Sequence, residues 1–171
     1  LPPSKSVEMV VGHVRKGLEL ADRYHLPAQI KAFIAEHHGR SKLAFFYAKA
    51  RRELGDEVSE DKFRYPGPKP QSKETGIIML ADTVEAGTRS MDPKPPEEIA
   101  RAVDDLIRVR LTEGDLAECP LTLREIAKIR EVFVQVLSGI HHQRIPYPEP
   151  VGGRETGNPP AGDGPNGAGD G

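Results

Sequence analysis

An excess of charge of one sign is missing. The 171 residues carry 24 Lys and Arg against 26 Asp and Glu, a formal net charge of −2. No global basic field therefore asks for DNA, RNA or an anionic membrane. Cysteine is almost absent. Cys119 stands alone and cannot form an internal disulfide, which fits a reducing compartment. There is no run of about 18 apolar residues, so no segment reads as a bilayer span. Signal-peptide architecture is missing too, and so is an initiator Met. The opening "LPPSKSVEMVV" reads as a cut inside a longer protein. Alternation at period two is nowhere sustained, which argues against strands, and no internal repeat occurs.

What is present is helical periodicity. Val7, Val10, Val11, Val14, Leu18 and Ala21 recur at three- and four-residue steps, so a first helix should run from a Ser4 or Ser6 cap to about Tyr24. Pro27 suits the first turn of a second helix, with Ile30, Phe33, Ile34 and His37 as its inner stripe and Gly39 as its end. "SKLAFFYAKARREL" reads as a third. "GDEVSEDKFRYPGPKPQ" is a loop, because its Pro and Gly content forbids regular structure. "SKETGIIMLADTVEAGTRSM" is a long, largely buried helix. "DPKPPEEIARAVDDLIRVRLTEG" is another, with acids in its first turn where the dipole prefers them. "TLREIAKIREVFVQVLSGIHH" is the last. The expectation is an all-α domain over residues 1–150. The stretch 151–171, with eight glycines and three prolines, is expected to be a disordered tail.

His37 and His38 stand side by side where the second helix runs out. Adjacent helical positions point roughly 100° apart, yet both edge the apolar face. Two crowded imidazoles resist a double positive charge. Either a metal takes them as neutral ligands, or the helix dipole favours them as a C-cap. His13 lies on a flank of the first helix shared with Gly17 and Leu20, and Gly17 leaves room beside its ring. A lone histidine there reads as structural or as a ligand. Asp82 follows five apolar residues and reads as buried, so it needs a partner: Arg89 on the same face, or a metal. Glu85 shares that face. Three histidines and one aspartate on three helices match the ligand set of manganese, iron or zinc.

"GHVRKG", "IAEHHG" and "FRYPGPKPQSKETGIIMLADTVEA" together resemble the HD-domain phosphohydrolase superfamily. More narrowly they resemble the cytoplasmic HDIG domain of the seven-transmembrane HD proteins, over about Leu1 to Pro148 and ending in "LSGIHHQRIPYP". The resemblance implies an HD-domain helical bundle. It implies a divalent metal cofactor, two ions in the complete domain, with manganese or iron favoured. It implies His13, His37 and His38 as ligands of one ion and Asp82 as a catalytic residue that helps hold the other. The activity implied is hydrolysis of cyclic di-AMP to the linear dinucleotide pApA. The family's first histidine and its His-Asp pair do not occur in these residues. They are expected upstream, together with the membrane segments. The chain itself is therefore expected to be soluble and weakly active or inactive alone. The complete protein is expected on the cytoplasmic side of a bacterial inner membrane, compatible with a homodimer and with no nucleic-acid partner.

Phosphodiester hydrolysis needs an activated water and a clamp on the phosphate oxygens. "FRYPGPKPQSK" offers substrate contacts: Arg64, Lys69 and Lys73 for phosphates, Tyr65 for an adenine face. The alternative is a rigid proline loop with solvated bases. Arg51 and Arg52 read as a solvated helix face. His141, His142 and His25 read as helix-end residues, and Cys119 has no base to activate it. Two non-catalytic readings stand beside the enzyme: a nucleotide-sensing module and a plain helical interaction domain.

Overall fold

The structure is a computed structural model and describes residues 3–89, 91 and 95–143. Six α-helices follow one another among the described residues: α1 (Pro3–Arg23), α2 (Ala28–Glu36), α3 (Ala44–Leu54), α4 (Lys73–Thr88), α5 (Pro96–Thr112) and α6 (Leu123–Gln143). No strand forms among the described residues, and a single isolated bridge joins Lys42 to Arg64. The fold is all-α, as the periodicity requires. The stretch 151–171 lies outside the described residues. No helix among the described residues is long and apolar enough to cross a membrane.

Local chemistry explains the boundaries. The Ser72 hydroxyl caps α4 by accepting from the Thr75 N–H at 3.2 Å, and the Thr75 hydroxyl reaches back to the Ser72 N–H. This closes two of the four donors that every helix start leaves open. α5 opens after Pro95 with Pro96 in its first turn and Glu97 and Glu98 beside it. α6 carries His141 and His142 in its last turn. Three boundaries depart from the sequence reading. α1 begins at Pro3, so Ser4 and Ser6 lie inside it rather than capping it. α2 stops at Glu36, three residues before Gly39. The 55–71 loop contains one turn of 3₁₀ helix, Glu60–Phe63.

Two apolar clusters form among the described residues. α4, α5 and α6 enclose Met79, Leu80, Val84, Ile99, Val103, Ile107, Leu116 and Ile126. Val7 of α1, Ala50 of α3 and Phe63 form the smaller one. α2 packs on both α1 and α4 and so joins the halves. Ile30, expected on the inner stripe of α2, is 43% exposed. α2 is only nine residues long, so its first turn overhangs the packing. Gly17 serves α2 rather than the His13 ring: a Cβ there would meet Ile34 Cγ2 at 2.8 Å.

Leu80 is fully buried and Leu54 is 72% exposed. Leu80→Ala should cost about 3 kcal/mol by the cavity it leaves. Leu54→Ala should stay within about 0.5 kcal/mol. Urea unfolding midpoints at unchanged slope would measure both.

Candidate metal centre

The histidines meet at the seam between the two clusters. His13 comes from the middle of α1, and His37 and His38 from the turn after α2. Gly39 makes that turn. Its φ of +52° suits glycine, and a Cβ would lie 2.6 Å from Met79 Cε and 3.3 Å from Pro70 Cδ. The turn is thus pressed between α4 and the 69–70 loop.

Glu36 anchors its start. This residue is 7% exposed. Its carboxylate accepts from the Thr75 hydroxyl at 2.7 Å and the Gln71 N–H at 2.9 Å. A buried carboxylate is tolerated on those terms. The sequence reading passed over Glu36. The signal was there: a charged residue three after Phe33, continuing an apolar line, had to be paired.

One ligand nitrogen from each of His13, His37 and His38 lies within 4.8 Å of the others. The ring orientations are informative. His13 Nδ1–H donates to the Val10 carbonyl at 2.5 Å, and His37 Nδ1–H donates to the Ile34 carbonyl at 2.9 Å. A carbonyl only accepts, so both protons sit on Nδ1 when the rings are neutral. That leaves the Nε2 lone pairs, which face each other at 3.4 Å. Two lone pairs at that distance repel unless something positive lies between them. Nitrogens bound at about 2.0–2.1 Å to one ion, at a tetrahedral angle, are separated by about this much. Nδ1 bonded to a backbone carbonyl is also how metal-bound histidines are oriented. The three residues therefore fit a divalent ion.

His38 is the innermost. Its ring stacks on Tyr65 at 4.2 Å between centroids. Burial first, then the charges of His37, His13 and Arg110, pushes its pKa down to about 3. It is neutral at ordinary pH, the form that ligates. Its Nδ1 lies 3.3 Å from Asp82 Oδ2, so that approach joins a carboxylate to a neutral ring. Asp82 was expected to be buried, yet its side chain is 42% exposed. Thr75, Met79 and Asp82 follow one another at helical steps on α4, and the lower two are covered by Glu36 and Gly39 while Asp82 stands at the open edge. Its partner is His38 rather than Arg89, which forms an exposed ion pair with Glu85.

The loop residues are placed with equal definiteness. Tyr65 N–H donates to the Ser41 carbonyl at 3.1 Å, which ties the loop to the histidine turn. Tyr65 is 7% exposed and covered by His38, so it offers no open face to a base. Burial, with the Asp82 charge behind it, raises its phenol to about 12. Arg64 is not a free cation. It binds Glu60, Glu113 at 3.0 Å, and the Arg40 carbonyl at 3.1 Å. Lys42 joins the same cluster through Glu113 at 3.1 Å. Lys73 pairs with Glu125 at 2.5 Å. Lys69 makes no ion pair among the described residues, and its carbonyl accepts from Gln71. Cys119 donates weakly to the Ser72 carbonyl and has no base nearby among the described residues. Sequence reasoning also missed Arg110, which bonds Thr83 beside Asp82 and the buried Asp115.

The helical fold and the histidine seam are shared with solved HD domains, and over most of its length the chain is similar to the PgpH proteins. The cyclic-di-AMP phosphodiesterase PgpH of Bacillus subtilis is 44% identical over 149 residues, covering 87% of this chain and 21% of the relative. The crystal structure of the Listeria monocytogenes PgpH HD domain superposes with a TM-score of 0.77 at 37% identity, covering 83% of this chain and 66% of that one. The same domain in complex with cyclic-di-AMP superposes at 0.79 and 36% identity, covering 82% and 65%. No family model matches the chain. The chain spans about a fifth of the length of the curated relatives it matches.

The Glu113 cluster yields a pH test. Lys42 and then Arg64 hold the Glu113 carboxyl below its usual 4.5. A depressed carboxylate stabilises the fold above its unfolded pKa and loses that contribution as pH falls through its folded value. Glu113→Gln should therefore cost about 1–2 kcal/mol at pH 7. The gap to wild type should close as the pH drops below about 4.5, followed by urea unfolding at stepped pH.

Proposed function

We propose that this chain is the part of a cyclic di-AMP phosphodiesterase that holds one divalent ion and borders a second. The observation that carries the reading is the facing pair of Nε2 lone pairs on His13 and His37, with both Nδ1 atoms already committed to backbone carbonyls. His38 is the third ligand. Asp82, exposed at the cleft edge, is free to turn an oxygen toward a second ion. Manganese or iron fits this nitrogen and carboxylate set. Bound ions of this kind lower the pKa of a water and clamp the phosphate oxygens.

The chain's own residues do the rest. Tyr65 backs His38 and keeps water from its inner face. Asp82 sits against His38 Nδ1 and fixes which nitrogen points to the ion. Arg64 and Lys73 hold the loop through their carboxylate partners, and Lys69 is the loop cation with a side chain left for the substrate. A second His-Asp set is needed to complete the coordination, and no His-Asp dipeptide occurs in these residues. Alone, the chain should therefore turn over cyclic di-AMP weakly or not at all. The linear dinucleotide pApA is the product expected of the full-length protein, acting on the cytoplasmic side of its membrane.

Supplied with manganese or iron during purification, the chain should retain about one ion. The double substitution His37→Ala, His38→Ala should abolish it while helical circular dichroism persists; equal metal in both proteins would sink the assignment. In the full-length protein Asp82→Ala should lower turnover by about 100-fold or more with the fold intact. Undiminished turnover would remove Asp82 from the site.

A further inference from the structure

Arg110 has no part in the chemistry above, yet its placement is unusual. It lies in the last turn of α5, with its side chain 19% exposed. Two bonds fix the guanidinium. Nε donates to Thr83 Oγ1 at 2.9 Å, and Nη1 donates to Asp115 Oδ2 at 3.0 Å. Asp115 is 1% exposed. Thr83 directly follows Asp82, so the cation is tethered to the helix turn that carries the aspartate. Its charge acts on both His38 and Tyr65. Asp115 holds the guanidinium from the other side, so the cation is fixed between the buried acid and the α4 turn that carries Asp82. Nη2 takes no protein partner among the described residues.

The neighbouring cations differ. Arg64 is consumed by two carboxylates and a carbonyl, and Arg130 is held on two nitrogens by Asp104. A buried Arg–Asp pair rarely repays its own desolvation, so stability alone is a weak reason for one at this position. A planar cation with two donors anchored and one free is preorganised for an anionic oxygen. A phosphodiester held beside His38 and Asp82 would bring such an oxygen to the α4 turn that Arg110 reaches through Thr83.

We infer that Arg110 is a substrate-binding residue whose free guanidinium edge takes a non-bridging oxygen of the phosphodiester, with Thr83 and Asp115 as its positioning residues. The inference rests on the phosphodiesterase reading. The contact strengthens as negative charge gathers on the phosphate oxygens, so it acts mainly on kcat.

The test uses the full-length protein loaded with manganese. Wild type is assayed first on cyclic di-AMP; absence of turnover overturns the phosphodiesterase reading and this inference with it. Where wild type turns over, Arg110→Ala should lower kcat/KM by about 100-fold. Metal content should stay at the wild-type value, and millimolar guanidinium should restore part of the rate. Arg110→Lys keeps a charge beside Asp115 and guards against misfolding. It should remain folded and still lose about 10-fold, because one ammonium cannot serve Thr83, Asp115 and a phosphate oxygen together. Wild-type rates in either variant would overturn the inference alone. So would a loss in Arg110→Ala that tracks lost metal and does not respond to guanidinium, since that is the signature of a purely structural pair.

Discussion

The buried carboxylate of Glu36 is the fixed point of this molecule. An ionised oxygen taken out of water must be met by donors, and the donors here are the Thr75 hydroxyl and the Gln71 N–H. That requirement ends α2 at one place and starts α4 at another, and it sets the two at a defined spacing. The next contacts follow in register. Gly39 lies on Met79, one turn along α4 from Thr75, and His38 meets Asp82 one turn further. The helix step of α4 is thereby copied onto a turn that has no regular structure of its own. The histidines are placed by a polar joint, although they sit between two apolar clusters.

The same logic explains why the site tolerates three imidazoles at close quarters. Burial keeps His38 neutral, and the backbone carbonyls of Val10 and Ile34 fix the ring orientations of His13 and His37. A cluster of lone pairs with no proton among them is a poor arrangement for a bare protein and a good one for a cation. The outer ring of ion pairs, with Glu113 joining Lys42 and Arg64, belongs to the scaffold. It holds the Tyr65 loop against the histidine turn, and so converts residues that look like substrate cations into supports.

Much of the fold was legible along the chain, because helices announce themselves by period and by their ends. The segments read as helices at α1, α4, α5 and α6 each contain one, although α5 begins at Pro96 rather than with the DPKP stretch before it. The misreadings have one cause. Periodicity says which face of a helix is apolar and says nothing about what covers it. Ile30 continues a stripe but overhangs its neighbours, and Asp82 follows five apolar residues but reaches the edge of the seam. Lys73 looked free because its carboxylate partner lies 52 positions away, and Arg64 adds to Glu60, four residues before it, a second partner 49 positions away.

The sequence by itself determined the class of the fold and singled out the side chains proposed to hold a metal. His13, His37, His38 and Asp82 are residue types for which the sequence left a structural role and a ligand role both open, and the resemblance favoured the second. Tertiary structure alone decided the rest: which ring nitrogens face inward, which cations are already neutralised, and that Arg110 comes from α5 to stand behind Asp82. The reason is physical. Helical identity is set by neighbours three and four residues apart, whereas ligation, pairing and desolvation depend on groups brought together from distant turns, and those distances exist only once the chain has packed.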